Sequence, residues 1–352
     1  MIQCQESSIF IGEEAWIEFD QLIESASGLK IFILADENTA EHCVQRLQSV
    51  YGVISENLLV VEAGETSKNV EIVYQLWSEL LESGADRNST LLNIGGGVIT
   101  DLGGFVASTF KRGITFINIP TSLMAMADAA IGGKTGIDLG PVKNQVGTFA
   151  WPDSVLVLPE FLESLPSDEL RSGYVECLKH ALLTDEKLLN KLMAISPSEL
   201  SAELLEEIVR VKIDVVNEDP NENGKRKSLN LGHTVGHGIE GLLLEQGNPI
   251  SHGNAVLLGL IAELKMAEQQ FGLDSSVVKN IQEFAAVNYS ELRSLNLDES
   301  RIYDLMKFDK KNNQGEIRFA LLKSVGDCAI DIALSEEDVL FGLKELSSWL
   351  SR

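Results

Sequence analysis

The sequence predicts an N-terminal α/β domain with a mostly parallel, doubly wound sheet, followed by a mainly α-helical domain. Three observations predict it. In the first half, short apolar runs of the kind that form buried strands alternate with amphipathic helical stretches, the pattern of successive βαβ units. From about residue 166 the apolar residues recur instead with a 3.6-residue period. At 352 residues, with 44% hydrophobic and 23% charged side chains, the chain is long enough for two cores and ordinary in composition for a folded protein.

Each element follows from its own pattern. LKIFILAD (29–36) is an apolar run ending in an acid, and helical spacing follows it in ENTAEHCVQRLQSVYG. NLLVVEAGE (57–65) is a second strand and turn, ahead of the amphipathic VEIVYQLWSELLESG. STLLNIGGG (89–97) is a third strand that enters a glycine turn and then the small-residue helix DLGGFVASTFKRG. ITFINIP (114–120) and SVLVLP (154–159) complete the sheet. DAAIGGKTGIDLGPVKNQVG (128–147), between those two, is too rich in glycine for a helix and reads as a loop. Pro166 ends one element and Ser167 can cap the next, so the expected domains are residues 1–165 and 166–352. SDELRSGYVECLKHALLTDEKLLNKLMA, SAELLEEIVRVKIDVVNED, TVGHGIEGLLLEQ and NAVLLGLIAELKMAEQQFG are then helices, and IRFALLKSVGDCAIDIAL (317–334) is a late hairpin.

Composition excludes several kinds of function. A net charge of −25 repels a phosphate backbone, so nucleic acid is not an expected partner. No apolar run is long enough to span a membrane, and MIQCQESSIF lacks the basic flank and apolar stretch of a secretory signal. Cys4, Cys43, Cys177 and Cys328 are scattered without CxxC spacing, the usage of a reducing compartment, so the expected location is cytoplasmic. In so acidic a chain, an anionic substrate has to be drawn in by a local basic cluster.

Two segments carry chemistry. GGGVITDLGG (95–104) opens a helix after a strand, and side-chain-free N–H groups there can cradle a pyrophosphate. The spacing is not GxGxxG, and the glycines can equally serve close helix–strand packing. Asp36 at one strand end, Thr121 and Ser122 at another, and Glu65 and Lys68 in GETSK favour a dinucleotide at the carboxyl edge of the sheet. The second segment is LNLGHTVGHGIE (229–240) with SHGNA after it, which holds three of the chain's five histidines: His233, His237 and His252. His233 and His237 are four apart and share a helix face, but no Glu lies between them as in HExxH, so a zinc protease is a poor reading. A catalytic metal takes about three protein ligands. The histidines supply nitrogen, and an oxygen ligand has to come from elsewhere. Lys134, Lys143 and Asn144, the run Lys225–Arg226–Lys227, and Lys310 with Lys311 surround these segments as an anion pocket would.

Taken together, GGGVITDLGGFVASTFKRG, IPTSL, GGKTGID…KNQVG, SGYVECLKH, LNLGHTVGHGIE and SHGNAV resemble the 3-dehydroquinate synthase family of sugar-phosphate cyclases, in order and over nearly the whole chain. The resemblance implies an NAD-binding α/β domain followed by a helical metal-binding domain. It also implies conversion of 3-deoxy-D-arabino-heptulosonate 7-phosphate to 3-dehydroquinate and phosphate, in the shikimate pathway to aromatic amino acids. That reaction runs by transient NAD-dependent oxidation, β-elimination, reduction and aldol closure. By motif, the resemblance implies Glu176, His233 and His252 as ligands of zinc or cobalt, with His237 turned to substrate. It implies Asp128, Lys134, Lys179, Lys212, Arg226, Asn230 and Lys310 around the substrate, and Arg112 reaching the neighbouring subunit's substrate phosphate in a homodimer. For NAD it implies Asp36, Glu65, Lys68, Gly97, Val98, Asp101, Thr121, Ser122, Lys134, Lys143, Asn144 and the stretch Phe161, Leu162, Glu163, Ser164. Family members commonly carry a second Thr where Ser122 stands, which keeps the hydroxyl. Cyclases that make 2-deoxy-scyllo-inosose or 2-epi-5-epi-valiolone lack the Arg226, Asn230, His237 pattern. A metal-dependent alcohol dehydrogenase of the same fold would release NADH stoichiometrically.

Overall fold

The computed structural model describes residues 1–25, 30–52, 56–140, 142–308 and 316–352. A seven-stranded sheet is built from β1 (Ile2–Cys4), β2 (Ser7–Ile11), β3 (Ile31–Asp36), β4 (Leu58–Val61), β5 (Thr90–Gly95), β6 (Thr115–Pro120) and β9 (Ser154–Val157), in the order β1-β2-β9-β6-β5-β3-β4. Every neighbouring pair is parallel except β1 with β2. The five apolar runs of the sequence are the strands β3, β4, β5, β6 and β9. In the three central ones nearly every side chain is buried, as expected where both faces of a parallel sheet are covered.

Helices connect these strands: α1 (Glu13–Ser25), α2 (Glu37–Thr39) and α3 (Gln45–Tyr51) flanking a π-turn, α4 (Val70–Glu82) and α5 (Gly97–Thr109). Helix α5 lies hard against the sheet. A Cβ on Gly103 would stand 1.9 Å from Asn93 Oδ1 on β5, so only glycine allows the approach. Asn93 in turn donates to Asn118 on β6 at 2.9 Å, tying two buried polar side chains together across adjacent strands. The chain leaves β3 toward β4 and returns to β5 on the other side of β3, which makes the carboxyl ends of β3 and β5 a topological switch point.

The segment read as a glycine-rich loop is instead an antiparallel hairpin of β7 (Lys134–Leu139) and β8 (Val142–Phe149). Its glycines are the reason. Gly136 pairs with Gly147, and a Cβ on Gly147 would lie 2.2 Å from the Thr135 carbonyl, so the strands come closer than side chains allow.

The remaining helices are α6 (Ser167–Leu182), α7 (Glu186–Met193), α8 (Ala202–Glu218), α9 (His233–Glu245), α10 (His252–Phe271), α11 (Ser275–Asn288), α12 (Glu299–Phe308) and α13 (Glu336–Leu350). The late hairpin is β10 (Arg318–Ser324) with β11 (Asp327–Ala333). The chain divides into two compact units, residues 1–170 with 201–220, and residues 171–200 with 221–352. The sequence reading cut once, at 165/166, and so put α8 with the later helices. Helix α8 packs with the first unit, through a buried face of Leu205, Ile208, Val209 and Ile213 and a bond from Gln5 N–H to Asn217 Oδ1 at 2.9 Å. Helical period alone says nothing about which core a helix joins. Among the described residues no helix is long and apolar enough to cross a membrane.

Candidate metal centre and cofactor edge

In the second unit three helix segments converge. Glu176 lies mid-way along α6 and is fully buried, His233 is the first residue of α9, and His252 is the first residue of α10. Ser251 caps α10 by accepting from Asn254 N–H at 3.3 Å, so the turn carrying His252 is fixed from its own backbone. One ligand atom from each of Glu176, His233 and His252 lies within 4.8 Å of the others. Glu176 Oε1 is 3.7 Å from His233 Nε2 and 3.9 Å from His252 Nε2. Donor atoms on a tetrahedral ion with bonds of about 2.1 Å stand about 3.4 Å apart, so small side-chain movement closes the set.

The second nitrogens of both rings are engaged. His233 Nδ1 is 3.2 Å from the Leu231 carbonyl, and His252 Nδ1 is 3.4 Å from Glu240 Oε2. An oxygen at Nδ1 and Nε2 toward Glu176 is the arrangement that orients imidazoles on metals. Both oxygens of Glu176 are buried. Its charge is balanced by Lys179, one turn along α6 and equally buried. A buried carboxylate paired with one ammonium, its Oε1 toward two imidazole nitrogens, fits a divalent cation bound by one oxygen and two nitrogens.

His237 stands one turn beyond His233, its ring centre 5.6 Å from that of His233 and 5.8 Å from that of His252. It borders the cluster without belonging to the ligand set. Arg226 is buried in the short 3-10 turn Lys225–Asn230. Asn230 Nδ2 donates to Glu222 Oε1 at 3.1 Å. Glu222, held at φ +58°, is a residue that sequence reasoning passed over. The turn-rich stretch NEDPNENGKRK, ahead of the basic run, was the available signal. Glu240 was also missed, though it shares a helix face with His233 and His237.

The remaining expected substrate residues among the described ones fall in the first unit. Lys212 on α8 is nearly buried and ion-paired with Asp128. Lys134 opens β7 and is exposed. Arg112 follows α5 in a left-handed turn (φ +69°) and lines a surface cleft of about 630 Å³ with Asp86, Arg87, Asn88 and Lys111. Lys310 and Lys311 lie outside the described residues.

The expected cofactor residues gather at the carboxyl edge of the sheet. The N-terminus of α5 has Gly96 at its cap, without a side-chain hydrogen bond, and Gly97 and Val98 in its first turn. A Cβ on Gly96 would meet Ser122 Oγ at 3.3 Å and one on Gly97 would meet Ala129 at 3.3 Å, so bare backbone lines this turn. Thr121 is buried at the end of β6. Asp36 caps α2, accepting from Thr39 N–H at 2.8 Å. Lys68 donates to Asp101 and Asn144, each at 2.6 Å. Burial depresses the Lys68 ammonium, but Asp101 and then Glu65 more than offset that and hold it above its usual range. Lys143 is exposed on β8. Phe161 fills the core, so at that position only backbone can face a ligand, while Glu163 pairs with Arg46 at 3.0 Å. Burial and then Asp36 push the nearby Cys43 thiol up to about 11. The open helix start, with hydroxyls and an acid at neighbouring strand ends, fits a dinucleotide.

Comparison with known proteins agrees with this geometry. Residues 58–172 match the family description 3-dehydroquinate synthase N-terminal, and residues 173–312 match 3-dehydroquinate synthase C-terminal. A 3-dehydroquinate synthase of Parabacteroides distasonis is 39% identical over 342 residues, 96% of this chain and 97% of its own. One of Pyrococcus furiosus is 37% identical over 327 residues, 92% of this chain and 95% of its own. Among solved structures, a 2-epi-5-epi-valiolone synthase of Streptomyces hygroscopicus with NAD+ and Zn2+ bound superposes with a TM-score of 0.84 at 22% identity, covering 99% of this chain and 98% of its own. A 2-deoxy-scyllo-inosose synthase complexed with carbaglucose-6-phosphate, NAD+ and Co2+ gives 0.83 at 23% identity, covering 98% of this chain and 99% of its own. These two share the fold. Sequence matches through both halves, at 37–39% identity across nearly complete chains, identify the line of descent: the chain belongs to the 3-dehydroquinate synthase family.

Proposed function

We propose that this protein converts 3-deoxy-D-arabino-heptulosonate 7-phosphate into 3-dehydroquinate and phosphate, with NAD and one divalent cation, zinc or cobalt. The observation that carries the reading is the convergence of Glu176, His233 and His252 on one point, in a chain whose relatives bear that name. When bound, NAD supplies reversible hydride transfer, and the cation acidifies the hydroxyl to be oxidised.

The side chains do the rest. Glu176, His233 and His252 hold the cation, with Glu240 and the Leu231 carbonyl setting the rings. Lys179 balances the buried carboxylate. His237, close to both ligand rings, is the group able to hold and pass a proton near neutral pH. Arg226 and Asn230 recognise the substrate's carboxylate and hydroxyls. Lys134, Lys212 and Lys310 attract its anionic groups, and Asp128 orients the Lys212 ammonium. At the sheet edge the α5 turn receives the pyrophosphate; Asp36, Glu65, Lys68, Asp101, Thr121 and Asn144 border the nucleosides. The first unit would serve chiefly the nucleotide and the second chiefly the metal. The protein works as a homodimer in which Arg112 contacts the phosphate held by its partner. Four free cysteines without metal or disulfide spacing support a cytoplasmic location.

The test is phosphate release from the heptulosonate phosphate, followed with absorbance at the NADH band. Turnover should be abolished by a chelator and restored by zinc or cobalt, without NADH accumulating. Stoichiometric NADH would identify an alcohol dehydrogenase instead. Turnover only with a sugar phosphate lacking the carboxylate would identify another cyclase.

A further inference from the structure

Helix α9 begins with a metal-ligand histidine yet has no cap of its own. Its cap position is Gly232, in the left-handed region at φ +79°, with no side chain to accept from the first N–H groups. A Ser, Thr or Asp cannot take that place. A Cβ there would lie 2.7 Å from Leu260 Cγ and 3.0 Å from the Val256 carbonyl, both on α10. The acceptor comes from α10 itself. Glu263, fully buried, takes the Gly232 N–H on Oε2 at 2.6 Å and the Val235 N–H on Oε1 at 3.0 Å. The two bonds straddle His233, and α10 is the helix whose first residue is His252.

We propose that Glu263 is a positioning residue for the metal centre: by capping α9 from α10 it sets the His233 ring relative to the His252 ring. The proposal rests on the metal reading above and deepens it. A carboxylate used only for stability could cap any helix. This one bonds on either side of one ligand and sits on the helix of the other, so loosening it changes the angle between two imidazoles. Its effect should therefore appear in the metal before it appears in the fold. Replacing Glu263 by Gln keeps one acceptor and turns an N–H toward the other backbone N–H. Replacing it by Leu leaves both N–H groups buried without an acceptor.

The experiment measures zinc affinity by chelator competition, and the visible spectrum of the cobalt-loaded protein, for the wild type, Glu263→Gln, Glu263→Leu and two controls. His252→Ala removes a ligand. Val339→Ala opens a buried position on α13, which packs on α10, and supplies a loss of stability that leaves the two Glu263 bonds in place. Glu263→Gln should bind zinc about 10- to 100-fold more weakly than wild type, the usual effect of losing a group that orients a ligand, and should shift the cobalt bands. Glu263→Leu should be weaker still, and Val339→Ala should match wild type. If Glu263→Leu does not fold, Glu263→Gln decides. Zinc affinity and cobalt bands in Glu263→Gln equal to wild type would overturn the proposal, as would equal weakening in Val339→Ala. A wild type that holds zinc no better than His252→Ala would instead overturn the metal reading.

Discussion

His233, His237 and Glu240 lie on one side of α9, because positions four and seven residues apart fall on the same helix face. Within that row His233 and Glu240 have different partners. His233 turns Nε2 to Glu176, and Glu240 reaches across to His252 Nδ1 at 3.4 Å. A proton shared with Glu240 on Nδ1 would leave the other ring nitrogen of His252 for a cation. Glu240→Gln keeps the shape and replaces the negative charge with a neutral amide. It should weaken zinc binding by about 10-fold while leaving NAD binding unchanged, as measured by chelator competition and by nucleotide titration. Unaltered zinc affinity would mean that the 3.4 Å contact does not orient the ring.

Helices α9 and α10 meet backbone to backbone. A Cβ on Gly259 would stand 1.9 Å from the Gly232 carbonyl, and one on Gly236 would stand 3.1 Å from the Ala255 carbonyl. Such contact brings the two histidine-bearing turns together with little room for adjustment, since a close-packed interior does not yield to an added methyl. Gly259→Ala should lower the unfolding free energy by about 1–3 kcal/mol in denaturant titration, and zinc affinity should fall with it. A neutral effect on both would show that the helices can slide apart without cost. The β7–β8 hairpin follows the same rule: glycines that argue against a helix there are what let its strands approach.

At the scale of the whole molecule, a chain of net charge −25 would have to attract a sugar acid phosphate, which carries both a carboxylate and a phosphate. The basic side chains offered for this are few and placed in turns and on buried helix faces: Arg226, Lys212 and Arg112. If Arg112 serves its partner's substrate, two inactive variants should repair one another. Arg112→Ala supplies an intact metal centre and His252→Ala an intact arginine, so a mixed dimer carries one complete site. Denaturing and refolding the two variants together should recover up to about a quarter of wild-type phosphate release, half of the dimers being mixed with one site in each. Recovery at the level of the separate variants would place Arg112 in its own subunit's chemistry or outside it.

The sequence by itself determined the kinds of element and their order. The strands β3, β4, β5, β6 and β9 and the later helices are local patterns of apolar residues, and local patterns are what a sequence displays. It also brought together the glycines of α5 and the histidines of α9 and α10, so a nucleotide edge and a metal were legible as chemistry. The ligand set was legible through resemblance to a family and not through spacing, because period 3.6 gives the face of a helix but not which way that face is turned. Only the tertiary structure decided that His233 faces Glu176 while His237 stands beside it, that α8 joins the first unit, and that Glu240, Glu222 and Glu263 matter. Each of these is a contact between residues far apart in the chain or a left-handed turn. Such contacts are fixed by how close two backbones can pack, which no single segment encodes.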